Sequence, residues 1–244
     1  MPTRHHTTMK LLSGLLPQSV ALAFLLLSLP CMGAKAMRVM YIAGGGTTLE
    51  NCVLHDGTVS HKVDLPRRNL TETLPFPDGE LVLRALPKPL ASGEAVPPDA
   101  PRVTIPESWT RCILIFMSDP SNKVLPVKIF PVEASDTKMP LGHTLLFNCT
   151  QATIRGKFGN VVVTCKPGDS TDIKPPRQDS GDYDVAIDCF YPGETLVKPV
   201  CRSTWNHNPN VKQFLFATPD PHRKLPHIWG VNDLPEARKV NEGD

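Results

Sequence analysis

The chain has 244 residues, 41% hydrophobic and 20% charged, with 26 basic residues against 24 acidic ones. That balance excludes a nucleic-acid or anionic-membrane binder, which needs clustered positive charge. Twenty-six prolines exclude long helices, because proline lacks the N–H and clashes with the preceding helical turn, and favour short strands joined by turns.

Residues 1–36 read as an export signal. Lys10 follows Met9, an apolar run spans Ser19 to Pro30, and Ala34-Lys35-Ala36 forms an A-x-A cleavage pattern. The run is too short for a comfortable membrane span; an uncleaved anchor is the other reading of it. Pro30 beside Cys31 does not fit a lipoprotein signal. A cut after Ala36 removes Arg4, Lys10 and Lys35 and no acid, leaving 23 basic residues against 24 acidic ones. The expected location is extracytoplasmic, in the periplasm or secreted, with no membrane span after cleavage. The 208 residues that follow suffice for one large or two small domains.

Strand signals begin at 37–43. Segments 50–55 and 60–65 flank Asp56-Gly57, a hairpin turn pair. Residues 80–86 follow Pro77-Asp78-Gly79, where Pro presets φ and Gly accepts positive φ. The stretch 87–101 is a proline-rich loop, 111–118 (RCILIFMS) a central strand, and 124–132 a further strand. Residues 134–142 read as a linker. Strands are then expected at 144–150, 161–165, 170–174, 183–190, 198–205 and 212–217, separated by turns bearing Pro or Gly, and the tail 234–244 is expected to be loose. Short strands at this spacing point to β-sandwiches.

Residues 113–133 align without gaps on 213–233, matching Phe116 with Phe216, Leu125 with Leu225 and Pro126 with Pro226. This is a faint mark of duplication; two unrelated hairpin ends of similar composition are the competing reading.

After cleavage six cysteines remain, Cys52, Cys112, Cys149, Cys165, Cys189 and Cys201. An even count in an exported chain permits disulfides, although several lie in apolar strands where a buried thiol is equally ordinary. No C-x-x-C occurs, which disfavours a zinc knuckle or thioredoxin motif. The histidines lie in or beside turns and edge strands. Two groups, His55/Asp56/His61 and Asp220/His222/His227, could bind a metal only if their side chains converged, and His55 and His61 would have to face each other across the hairpin. Gly44-Gly45-Gly46 has no helix after it to make a phosphate cradle. Arg67-Arg68-Asn69 is a small basic spot on a loop. Asn69-Leu70-Thr71 and Asn148-Cys149-Thr150 match the glycosylation pattern, the second in mid-strand where it should be inaccessible. Trp109, Trp205 and Trp229 are expected in cores or at a domain contact. No residue is assigned as catalytic, cofactor-binding or metal-binding, and no cofactor is implied.

The segments LPRRNL, LPFPDGELVLRALPKPL, SDPSNKVLPVKIFPVEAS, HTLLFNCTQATIRGKFG and WNHNPNVKQFLF resemble uncharacterised exported β-rich proteins of planctomycete and verrucomicrobial bacteria. The first half is faintly similar to secreted β-sandwich domains of the DUF4397 type. Neither resemblance implies an activity. A likeness to periplasmic pilus chaperones is one of architecture and length, since their basic cleft pair has no counterpart here.

The expected fold is all-β, two tandem immunoglobulin-like β-sandwich domains at 37–136 and 137–233. The expected function is a non-enzymatic binding or structural module of the cell envelope, with the 87–101 and 175–182 loops as contact elements and an envelope or extracellular protein or glycan as partner. The alternatives are a metal- or thiol-dependent hydrolase and an assembly factor that donates a sheet edge.

Overall fold

The computed structural model describes residues 34–42, 49, 51–220 and 222–234. The leader up to Gly33, the Gly44–Gly46 loop and the tail beyond Leu234 lie outside the described residues. Among those described, the chain is all-β, with no helix and four sheets of four strands each. No helix among them is long and apolar enough to cross a membrane.

The first eight strands are β1 (Lys35–Ile42), β2 (Val53–His55), β3 (Ser60–Lys62), β4 (Leu74–Phe76), β5 (Leu81–Leu86), β6 (Arg102–Ile105), β7 (Arg111–Ser118) and β8 (Val127–Glu133). The next eight are β9 (Thr144–Asn148), β10 (Thr153–Phe158), β11 (Val161–Cys165), β12 (Ser170–Ile173), β13 (Gly181–Phe190), β14 (Lys198–His207), β15 (Lys212–Thr218) and β16 (His227–Asp233). The first sandwich pairs a β4-β1-β7-β8 sheet with a β3-β2-β5-β6 sheet. The second pairs β12-β9-β15-β16 with β11-β10-β13-β14, the same order shifted by eight strands. In both, the first strand runs parallel to the seventh, and the remaining pairings are antiparallel. The topology is thus duplicated.

The offset of 100 residues carries part of this. Cys112 pairs with Glu133 and Ser118 with Val127, while Lys212 pairs with Asp233 and Thr218 with His227, so the two last hairpins share register and loop length. Their faces are nevertheless opposed. Leu114 and Phe116 point into the core of their own sandwich, whereas Phe214 and Phe216 point out of theirs. Strand side chains alternate, so a one-residue slip inverts every one of them. Phe116 and Phe216 match in sequence but are not equivalent in space. Leu125 and Leu225 are, each packing on its own sandwich core.

Each sandwich has its own apolar core. A third core lies between the β4-β1-β7-β8 and β12-β9-β15-β16 sheets, formed by Met40, Ile42, Ile113, Ile115, Val132, Phe214, Phe216 and Val231, with Phe147 and Trp229 packed against it. These two sheets are therefore inner layers, buried on both faces, and the others are outer layers. That explains the continuous apolar run of β7, since a strand covered on both sides has no reason to alternate. Both sandwiches belong to one compact unit that begins at Ala34.

Polar contacts fix the two halves at the edge of the third core. The fully buried Asp233 carboxylate accepts from Arg38 and, through both oxygens at 3.0 Å, from Arg111. Lys212 Nζ donates to Ala134 O at 2.9 Å and to Asp136 at 2.6 Å, and Arg68 lies over the Trp229 ring at 5.9 Å. The segment expected to be a linker is packed: Ala134 and Met139 are buried in the third core. Lys35 and Ala36, placed in the leader by the A-x-A pattern, are the first residues of β1.

Candidate functional site

Where the two halves meet, a cavity of about 230 Å³ opens at the edge of the third core. The alternation of β8 builds one wall. Val127 and Ile129 turn into the first core, so Lys128 and Phe130 project towards the second sandwich. β8 is the outermost strand of its sheet, which leaves Phe130 38% exposed. Ile115 and Met117 of β7 and Phe147 of β9 add apolar wall, and Phe147 is held by stacking on Phe216 at 5.4 Å. Residues 148–151 and the turn 167–169 complete the lining.

Not every polar group there is free to bind. Asn148 is locked: its amide donates to Ala152 O at 2.7 Å and Cys165 O at 3.0 Å, and its oxygen accepts from the Thr150 N–H and hydroxyl. Its burial agrees with the expectation that this glycosylation pattern is inaccessible. Lys128, by contrast, forms no ion pair among the described residues, and its ammonium rests 5.2 Å from the Phe130 ring. Gln151 and Asp169 also face the cavity. Burial pushes the Cys149 thiol up to about 11, with the Lys128 charge opposing only part of that rise. At neutral pH it is a protonated thiol rather than a nucleophile. The cavity can therefore enclose an apolar group and offer a cation to an acidic end; a cavity of ~150 Å³ is enough to hold benzene.

A smaller polar recess of about 70 Å³ lies at one end of the second sandwich, among Thr144, Tyr183, Asn206, Gln213 and Asn232. His207 borders it, and its buried Nε2 has no hydrogen-bond partner among the described residues. Burial, then the nearby Arg177, lowers the pKa of this imidazole, so it is neutral at pH 7.

The histidine groups singled out in the sequence do not converge. His55 pairs with Ser60 and Leu54 with His61, so His55 and His61 point to opposite faces of the sheet. His55 Nδ1 bonds Ser60 Oγ at 3.1 Å, while His61 Nε2 bonds Asp56 at 3.0 Å and packs on Phe76. Burial pushes the Asp56 carboxyl up, but hydrogen bonds from Val59, His61 and Thr58 outweigh it and hold the group well below the usual carboxylate range. Asp220 is engaged by the His222 N–H, and His227 pairs with Thr218 in the β15–β16 ladder. Among the described residues no three His, Cys, Asp or Glu side chains gather as a metal would require.

All six cysteines expected in the mature chain are free thiols, so the disulfide framework permitted by the even count does not form. Burial raises every one of their pKa values, Cys52 and Cys112 to about 12. The tryptophans pack as expected, Trp109 on the first core, Trp205 on the second and Trp229 on the third. The 87–101 loop joins β5 to β6, pinned by Arg84 through Pro98 O and Ala100 O, and 175–182 leads from β12 into β13; neither lines the cavity. Proline sits in or beside the edge strands β4, β6, β8 and β14 (Pro75, Pro101, Pro131, Pro199), the usual protection against strand addition.

Apart from the glycosylation pattern at Asn148-Cys149-Thr150, the cavity residues carry no motif. The one signal in the sequence was Lys128 and Phe130 on the non-core face of an alternating strand, which can be read only once a second layer is known to lie opposite. No protein-family model matches the chain, and no curated protein matches it significantly.

Proposed function

We propose that the protein is an exported, non-enzymatic binding module of the cell envelope, and that the cavity between its two sandwiches is the ligand seat. The ligand is a small molecule with one apolar ring or branched chain and an acidic end. One observation supports this above the rest. Lys128, without an ion-pair partner among the described residues, stands at the rim of a cavity walled by Ile115, Met117, Phe130 and Phe147. Sites of this kind join apolar walls to a few polar groups that orient the ligand. The protonated state of Cys149 favours binding over chemistry.

The test uses benzoate as probe and saturation-transfer NMR on the purified protein. Benzoate should receive magnetisation from the wild type and lose it in Met117→Trp, which fills the cavity. Lys128→Ala should weaken benzoate and leave benzyl alcohol unchanged. If Met117→Trp binds benzoate as the wild type does, the cavity is not the seat.

A further inference from the structure

We propose that the export signal is cut between Gly33 and Ala34, three residues ahead of the cut marked by the A-x-A pattern. This rests on the export reading and adds to it the site of processing.

The observation is Lys35. The residue is 1% exposed, and among the described residues its ammonium has no carboxylate partner. It donates instead to three backbone carbonyls of the β6–β7 connection: Pro106 O at 3.1 Å, Glu107 O at 2.7 Å and Trp109 O at 2.5 Å. The next residue, Ala36, donates its N–H to Thr110 O. The β1–β4 ladder consists of Lys35 with Phe76, Ala36 with Pro75 and Met37 with Leu74. A cut after Ala36 would delete two of these three pairs, the N–H bonded to Thr110, and the ammonium that satisfies three carbonyls. Pro106 O keeps a second donor, the Trp109 N–H at 3.2 Å, but Glu107 O and Trp109 O would lose the one that the shielded lysine brings them, and carbonyls without donors are costly. The new α-amino group on Met37 could not replace the lost side chain, because it would sit at the backbone of β1, a lysine side chain's length from those carbonyls.

The cut must therefore fall ahead of Lys35, and charge selects the bond. A cut after Ala34 would put the new α-ammonium on Lys35, a buried residue. A cut after Gly33 puts it on Ala34, which is exposed and precedes β1. Gly33 and Cys31 then supply the small residues at the first and third positions before the cut, where a bulky Met32 would otherwise stand third. Retaining Lys35 leaves 24 basic residues against 24 acidic ones, since Arg4 and Lys10 alone are removed.

The experiment expresses the full chain in a bacterium with an intact export pathway and reads the N-terminus of the extracytoplasmic product by intact mass and N-terminal peptide mapping. The expected first residue is Ala34. A product starting at Met37, or at any other residue, overturns the inference and leaves export standing. A chain that stays uncut in the cytoplasm overturns the export reading, and this inference with it. Pulse-labelling of two full-length variants gives a readout that does not depend on folding. Gly33→Leu should accumulate precursor, and Ala36→Leu should be processed as fast as the wild type. The reverse pattern overturns the inference.

Discussion

The inner and outer sheets use different alphabets. In β7 the central five residues are all buried, and in β15 six of seven are. In β6 and β10, which belong to outer sheets, buried residues alternate with more exposed ones. The difference is set by neighbours. An inner strand has a sheet on each side and gains from apolar residues at every position, whereas an outer strand has a sheet on one side and water on the other. The composition of a strand thus reports how many layers cover it. Two runs of the inner kind in one chain signal that the two sandwiches pack face to face rather than hang from a flexible linker.

Phe216→Ala tests this most severely. The ring lies between Phe147 at 5.4 Å and Trp229 at 4.6 Å, in the core that belongs to both halves. Removing a buried phenylalanine costs about 3–5 kcal/mol. Urea unfolding followed by tryptophan fluorescence and by circular dichroism should show a single transition, displaced by that amount with both probes. Two separate transitions, only one of them displaced, would mean that the third core does not couple the sandwiches.

Asp233→Ala comes next. Two arginines from the first half converge on this one carboxylate of the second. Deleting one partner of a buried ion pair is costly because the other charges remain. The side chains of Arg38 and Arg111 keep 13% and 30% exposure, so water can recover part of the loss. A loss of about 2–3 kcal/mol is expected, at the lower edge of the buried-pair range. Asp233→Asn should fall between variant and wild type, since the amide oxygen still accepts a hydrogen bond. Equal stability of Asp233→Ala and wild type would show that the interface is held by apolar contact alone.

The same contrast explains what could be read in advance. Arg111–Ser118 was legible to the residue because its run is unbroken, 161–165 likewise, and the strands expected at 170–174 and 198–205 end within two residues of those at 170–173 and 198–207. β4 and β6 were missed. One has three residues including Pro75, and the other is a four-residue strand between Pro101 and Pro106. β10 (TIRGKF) was hidden by a glycine and two cations. The glycine is required by packing, since a Cβ at Gly156 would lie 2.4 Å from the Phe158 ring. β16 has no strand expected for it, although the alignment of 213–233 on 113–133 lays it on β8. The cavity was not legible, because it is a property of two layers meeting, and the alternation that turns Lys128 and Phe130 towards it has meaning only once the second layer is in place. The duplication was legible in hairpin register but misleading in facing, since alternation turns a sequence match into a mismatch when the slip is odd.

In the outer layer, the β2–β3 hairpin offers a pH-dependent contrast. The Asp56 carboxylate accepts from Thr58 N at 2.8 Å, Val59 N at 2.6 Å and His61 at 3.0 Å. Its folded pKa lies below the unfolded value, so the charged form is favoured by folding. That stability is present above an unfolded pKa of about 4 and is lost as the pH falls below it. Asp56→Ala should cost about 1–2 kcal/mol at pH 7. The difference from wild type should shrink as acid protonates the carboxylate. A difference that is constant from pH 7 to acid would assign the effect to turn geometry rather than charge.

The finest test compares neighbours on one outer strand. Val162 and Val163 adjoin in β11, the edge strand of its sheet, at 54% and 9% exposure. Val→Thr keeps the branched shape and strand preference and exchanges a methyl for a hydroxyl, so only the environment differs between the two sites. At Val163 the hydroxyl enters the second core, and a loss of about 1–2 kcal/mol is expected. At Val162 it enters water, and the change should stay within about 0.5 kcal/mol. If the two substitutions cost the same, the solvent side of this sheet is covered in solution, and the outer layer would need a partner that the single chain does not supply.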